Sequence, residues 1–121
     1  MSGEYSSEDL TRLSFHDSEL HSIGWENAGE DLALLLTWYP PKDSTISCPG
    51  EPTESRLCGR SVTDLVIDLQ YGDFVGTPSI YQLNVARLPT GRWKVIVDFI
   101  ASPDGIISFE CDDVSLQLGV R

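Results

Sequence analysis

Apolar residues recur at every second position in several separate stretches of this chain, and that period of two constrains its fold more than any other feature. Leu65, Ile67 and Leu69 alternate with polar Asp64, Asp68 and Gln70. Tyr81, Leu83 and Val85 form a second set, Trp93, Val95, Val97 and Phe99 a third, and Val114, Leu116, Leu118 and Val120 a fourth. Successive side chains on a β-strand point to opposite faces, so each stretch is expected to be a strand with one face for a core. Pro89-Thr90-Gly91, Ser102-Pro103-Asp104-Gly105 and Asp112-Asp113 break the run of strands over residues 80–120. Such short connections make antiparallel pairing in sequence order the default.

The first third of the chain adds a helix and a hairpin. Ser6-Ser7-Glu8-Asp9-Leu10 has the composition of a helix start, with serine to cap free amides and two carboxylates at the positive end of the dipole; the helix is expected to end near Leu13. Residues 19–25 and 31–39 read as paired strands around Asn27-Ala28-Gly29-Glu30. The second is a nearly continuous apolar run stopped by Pro40-Pro41, as expected of a strand buried on both faces. Residues 40–60 hold Pro40, Pro41, Pro49, Pro52, Gly50, Gly59 and several hydroxyl residues, and read as one long irregular loop, mobile or functional. The expectation is a single domain over residues 1–121, mainly β with minor α. About seven antiparallel strands, curved as one sheet, a barrel or a sandwich, accompany one short N-terminal helix.

Charge bounds the partners. Nineteen Asp and Glu against eight Lys and Arg give a formal net charge of −11, which disfavours nucleic acid because phosphate binding needs clustered cations. An anionic surface instead suits a basic protein partner. Asp64, Asp68 and Asp73 are the expected contacts, since repeated anions along one strand face keep it wet or opposite cations. Trp38 and Tyr39, at the mouth of the loop, are the expected aromatic anchors, Trp38 reading equally as the end of a buried strand. Trp25 and Trp93 read as core or cross-strand packing.

Cys48, Cys58 and Cys111 match neither a zinc ribbon nor a redox pair, and three cysteines cannot all pair, so a reducing compartment, the cytoplasm, is expected. The first residues lack the basic and apolar regions of a secretory signal, and no apolar run approaches the roughly 20 residues of a membrane span.

One polar segment stands out: Phe15-His16-Asp17-Ser18-Glu19-Leu20-His21. If strand geometry begins at Asp17, then Asp17, Glu19 and His21 share a face, and with His16 they form a candidate set for zinc or manganese. The alternative, which is favoured, is structural: Asp17 turns the chain from helix into strand while His16 donates to a carbonyl or carboxylate. No metal, cofactor or catalytic residue is expected. Glycine-rich phosphate loops and a Gly-x-Ser-x-Gly nucleophile elbow are absent from the sequence.

The same segment resembles the Phe-His-Asp-Ala/Ser-Glu opening of a set of small bacterial proteins that includes an immunity-protein family of polymorphic toxin systems. Gly105-Ile106-Ile107-Ser108-Phe109-Glu110-Cys111-Asp112-Asp113-Val114 is similar to their closing Gly-hydrophobic-x-Phe-x-Cys-x-x-Val pattern. Ser18 stands where Ala is commoner. The resemblance implies a non-enzymatic protein that neutralises a toxin domain by covering it, with Phe15, His16, Asp17 and Glu19 as its structural signature. The rival expectation is a metal-dependent enzyme or sensor built on residues 16–21, and a third is an accessory domain.

Overall fold

A computed structural model describes residues 3–42, 44 and 46–119; Val120, named above, lies outside the described residues. Nine antiparallel strands and one short helix follow in the order β1 (Glu4–Tyr5), α1 (Ser7–Leu10), β2 (Glu19–Glu26), β3 (Asp31–Trp38), β4 (Thr53–Arg60), β5 (Thr63–Gln70), β6 (Gln82–Arg87), β7 (Trp93–Phe99), β8 (Asp104–Cys111) and β9 (Asp113–Leu118). The first sheet runs β1-β9-β4-β3-β2 and the second β5-β8-β7-β6. They form a sandwich around one apolar core. Leu34, Leu36, Leu57 and Leu116 come to that core from the first sheet, and Val95, Val97, Ile107 and Phe109 from the second, all fully buried.

Trp93, Val95, Val97 and Phe99, together with Val114, Leu116, Leu118, Leu83 and Val85, are buried as the alternation predicts, whereas Ile67 and Tyr81 are exposed; two further details differ from the sequence reading. Thr53–Arg60 is not irregular: it is β4, paired with β3 on one side and β9 on the other. Its inward positions are Ser55, Leu57 and Gly59, only one of them a large apolar residue, so the strand carries almost no hydrophobic signal. Glycine is required at 59 because a Cβ there would meet the Phe109 ring at 2.8 Å. The described residues outside strands between β3 and β4 are thus 39–42, 44 and 46–52. The second difference is that β8 and β9 do not pair. At Asp112 the chain crosses from the second sheet to the first, and β8 pairs with β5 and β7 instead.

A second crossing lies beside it, where β4 of the first sheet leads through Ser61 and Val62 into β5 of the second. The two corners are joined by Asp112 N–H donating to Arg60 O at 2.8 Å. Arg92, from the β6–β7 turn, closes over both. Its guanidinium donates to Asp112 Oδ1 at 2.6 Å, Ser61 O at 3.0 Å and Thr63 Oγ1 at 2.8 Å.

The helix is short but capped as its composition requires. Ser6 Oγ accepts from Asp9 N–H at 3.3 Å while the Asp9 carboxylate accepts from Ser6 N–H at 3.1 Å, a reciprocal capping box. Ser7, Leu10 and Leu13 point inward, and buried Ser7 Oγ accepts from Val114 N–H at 3.0 Å, tying α1 to β9.

Candidate functional site

The segment Phe15–Glu19 builds a corner. Phe15 is buried and stacked on Trp38 with ring centroids 5.5 Å apart, and the Trp38 indole donates to Ser14 O at 2.9 Å. Asp17 takes φ 68°, a left-handed conformation that Asp tolerates better than most residues. It makes the turn in which Ser18 N–H donates to Phe15 O, while Asp17 N–H donates to Ile80 O at 2.9 Å. Fully buried Ser18 then accepts from Tyr39 N–H through Oγ at 3.0 Å, holding the end of β3 against the start of β2. The Asp17 carboxylate stays at the surface. Ser18, which the sequence reading passed over as a mere departure from Ala, contributes the buried bond.

The two histidines of this segment point to different neighbours. His16 Nδ1 lies 2.8 Å from Tyr81 O, so that nitrogen carries the proton and donates, and the His16 Nε2 to Asp17 Oδ1 distance is 3.5 Å. His21 Nε2 lies 2.6 Å from Thr37 Oγ1, whose hydroxyl in turn donates to Glu54 Oε1 at 2.7 Å. Since Thr37 spends its proton on Glu54, His21 Nε2 is the donor. The strand begins at Glu19, and a register shift falls between Leu20 and Ser22. Asp17, Glu19 and His21 therefore do not form the regular one-faced set that strand geometry from Asp17 would give. Among the described residues no three His, Cys, Asp or Glu side chains are grouped as a metal ion needs.

The second signature segment lies on β8 and the adjoining corner. Gly105 has φ 134° and sits so close to β5 that a Cβ would fall on the Asp68 carbonyl, Ile107 and Phe109 enter the core, and Cys111 is buried. Burial pushes the Cys111 thiol up to about 12, the nearby Arg92 cation opposing and Asp113 and Asp112 reinforcing the shift. All three cysteines are free thiols.

The residues expected to meet a partner separate into surface and core. Asp64, Asp68 and Asp73 are exposed. Asp68 Oδ1 accepts from Gln70 Nε2 at 2.9 Å. Asp64 sits at φ 55° within an irregularity between Thr63 and Val66, which removes it from the alternation that would align it with Asp68. The ion pairs among the described residues engage Asp17, Glu26, Glu8 and Asp112, leaving these three aspartates outside them. Trp38 is not a surface anchor: its exposure is 0%, because it packs between Phe15 and Tyr5 in the core. Tyr39 is partly exposed and lines an open concavity of about 610 Å³ with Pro40, Pro41 and Ile46. Trp93 is buried as expected, but Trp25 is 51% exposed, at the free edge of β2.

No protein-family model matches the chain, and no curated protein matches it in sequence. Its fold is similar to that in the crystal structure of an uncharacterized protein from Neisseria gonorrhoeae, with a TM-score of 0.58 over 96% of each chain and 16% sequence identity. That likeness establishes the architecture as one that also occurs in a bacterial protein.

Proposed function

We propose that this is a small non-enzymatic binding protein that captures a basic protein partner through its acidic surface, in the manner of toxin-neutralising immunity proteins. The observation that carries the reading is the edge strand β5. It holds Asp64 and Asp68, leads into Asp73, and also exposes Val66, Ile67 and, just beyond its end, Tyr71. Exposed apolar side chains beside anions that lie outside the ion pairs are what a cationic protein surface can cover, with the apolar area supplying affinity and the charges supplying speed and selectivity. A toxic nuclease domain has such a surface, since it must bind polyanionic substrate.

Both signature segments support the resemblance as a structural one. Phe15–Glu19 builds the corner into β2, and Gly105–Val114 builds β8 and the crossing into β9, with Phe15, Gly105, Phe109 and Cys111 each set by packing. The His16 and His21 rings each hydrogen-bond a different element, which gives the metal-enzyme alternative no support. Three free thiols suit a reducing compartment such as the cytoplasm.

The test is co-expression with the toxin encoded beside this chain in its genome. Protection of the host, with a stable complex recovered on purification, is the expected result. A neighbourhood without a toxin, or a toxin whose lethality is unchanged, overturns the immunity reading.

A further inference from the structure

The sandwich is sealed along one side and open along the other. On the sealed side α1 spans the sheets, with Leu10 in the core, Ser7 bonded to Val114 of β9 and Glu8 Oε1 3.7 Å from Arg87 Nη1 of β6. On the open side β2 and β5 are the terminal strands of their sheets, with no strand joining them. Residues 78–80 cover only the start of β2, through Leu20 N–H to Pro78 O, Ile80 N–H to Ser18 O and a bridge between Glu19 and Ser79. Past that cover a cleft of about 170 Å³ enters between the sheets, lined by Leu20, Ile23, Ile67, Leu69, Tyr71 and Ile107. Of these Ile67 is 50% and Tyr71 46% exposed, and Trp25, 51% exposed, lies further along β2.

Free sheet edges are ordinarily blunted by Pro, Lys or a bulge, because unpaired backbone groups recruit another strand. β5 carries such a device in the irregularity around Asp64. In β2 the irregularity lies at its covered start, and residues 22–26 run on in regular register with β3, without Pro or Lys, and with open space around Gly24. Nineteen Asp and Glu against eight Lys and Arg favour a cationic occupant and disfavour a second copy of this chain.

We infer that residues 22–26 of β2 accept an extended cationic segment of a partner protein as an added strand. Its alternate apolar side chains enter the cleft, and its Lys or Arg side chains meet the net negative field of the chain. The inference rests on the basic-partner reading and specifies how that partner is held: backbone hydrogen bonds to the free edge supply affinity and the cleft selects side chains.

The probe is an acetylated octapeptide alternating Val and Lys, titrated into the isotopically labelled full chain at low salt. It should bind and protect the amides of residues 22–26 from exchange. Its fully N-methylated counterpart keeps charge and side chains but cannot donate to the edge, and should bind at least about tenfold more weakly. Trp25→Lys with Ile67→Lys, at half-exposed positions and checked for fold by circular dichroism, should weaken the unmethylated peptide similarly. Equal affinity of the two peptides, protection elsewhere, no binding at all, or a dimer of this chain that occupies β2 overturns strand addition. A captured natural partner whose association is salt-sensitive while the peptide fails leaves the basic-partner reading standing and removes only this one.

Discussion

Arg92 Nη1 donates to Asp112 Oδ1 at 2.6 Å, and through that pair the turn between β6 and β7 is fastened to the corner where the chain changes sheets. The same guanidinium reaches Ser61 O and Thr63 Oγ1 at the neighbouring crossing. One side chain thereby satisfies acceptors on both crossings of the sandwich, a task suited to the planar fork of arginine. Arg92→Ala is expected to destabilise the protein by about 1–2 kcal/mol, the pair with Asp112 being discounted for its partial exposure. Arg92→Lys should recover only part of that loss. Urea unfolding of the three proteins measures it, and an unchanged midpoint in Arg92→Ala would remove the fastening role.

At the Phe15–Glu19 corner the energetic weight lies in buried groups. Ser18→Ala strands the Tyr39 amide and should cost about 1–2 kcal/mol, whereas Glu19→Ala should change stability by no more than about 0.5 kcal/mol. Asp17→Gly should be tolerated because glycine adopts φ 68° freely, while Asp17→Val should cost about 1–2 kcal/mol. Thermal melts of the four variants give the order directly; equal losses at 18 and 19 would contradict it.

Much of this fold is written in alternation. β7 and β9 announce themselves because every inward position is apolar, and α1 because Ser6 and Asp9 cap it. β4 is silent for the opposite reason: its inward Ser55 and Gly59 are shaped by neighbours, Gly59 by the Phe109 ring, and such a fit is visible only in three dimensions. The sheet crossing at Asp112 escaped a reading based on short connections, since a tight corner and a tight hairpin use the same residues. Trp38 at a proline-rich boundary resembles an exposed anchor until the chain folds Phe15 onto it. The acidic positions 64, 68 and 73 were legible as charge, but the irregularity that turns Asp64 out of register was not.

The boundary between loop and strand has a proteolytic signature. Lys42 lies in the irregular segment, whereas Arg56 and Arg60 lie in a strand hydrogen-bonded on both sides, with Arg56 also ion-paired to Glu26 and donating to Gln117. Limited trypsin digestion should cut after Lys42 well before it cuts after Arg56 or Arg60. Simultaneous cleavage at all three would mean that β4 is not a central strand.

Alkaline pH should weaken the fold through Cys111. Its thiol titrates at about 12 in the folded protein against about 9 ordinarily, because burial disfavours the thiolate. Below pH 9 both states hold the proton and the contribution is complete. Between about 9 and 12 the unfolded chain loses it first, so stability falls as pH rises. Tyr5, raised by burial and then by Cys48 and Asp9, acts in the same direction. Denaturant unfolding across this range should show a steeper decline in the native protein than in Cys111→Ala; parallel slopes would contradict the assignment.

The central claim is that the acidic edge of this protein captures a basic partner, and association kinetics test it most directly. The partner purified from co-expression is mixed with native protein and with Asp64→Lys plus Asp68→Lys at two salt concentrations. Attraction between exposed charges is screened over about 8 Å at physiological ionic strength. The account predicts that association slows as salt rises and slows in the double variant, with dissociation changing less and the fold intact. An association rate indifferent to both salt and the charge reversals, or a partner that is itself acidic, would contradict it.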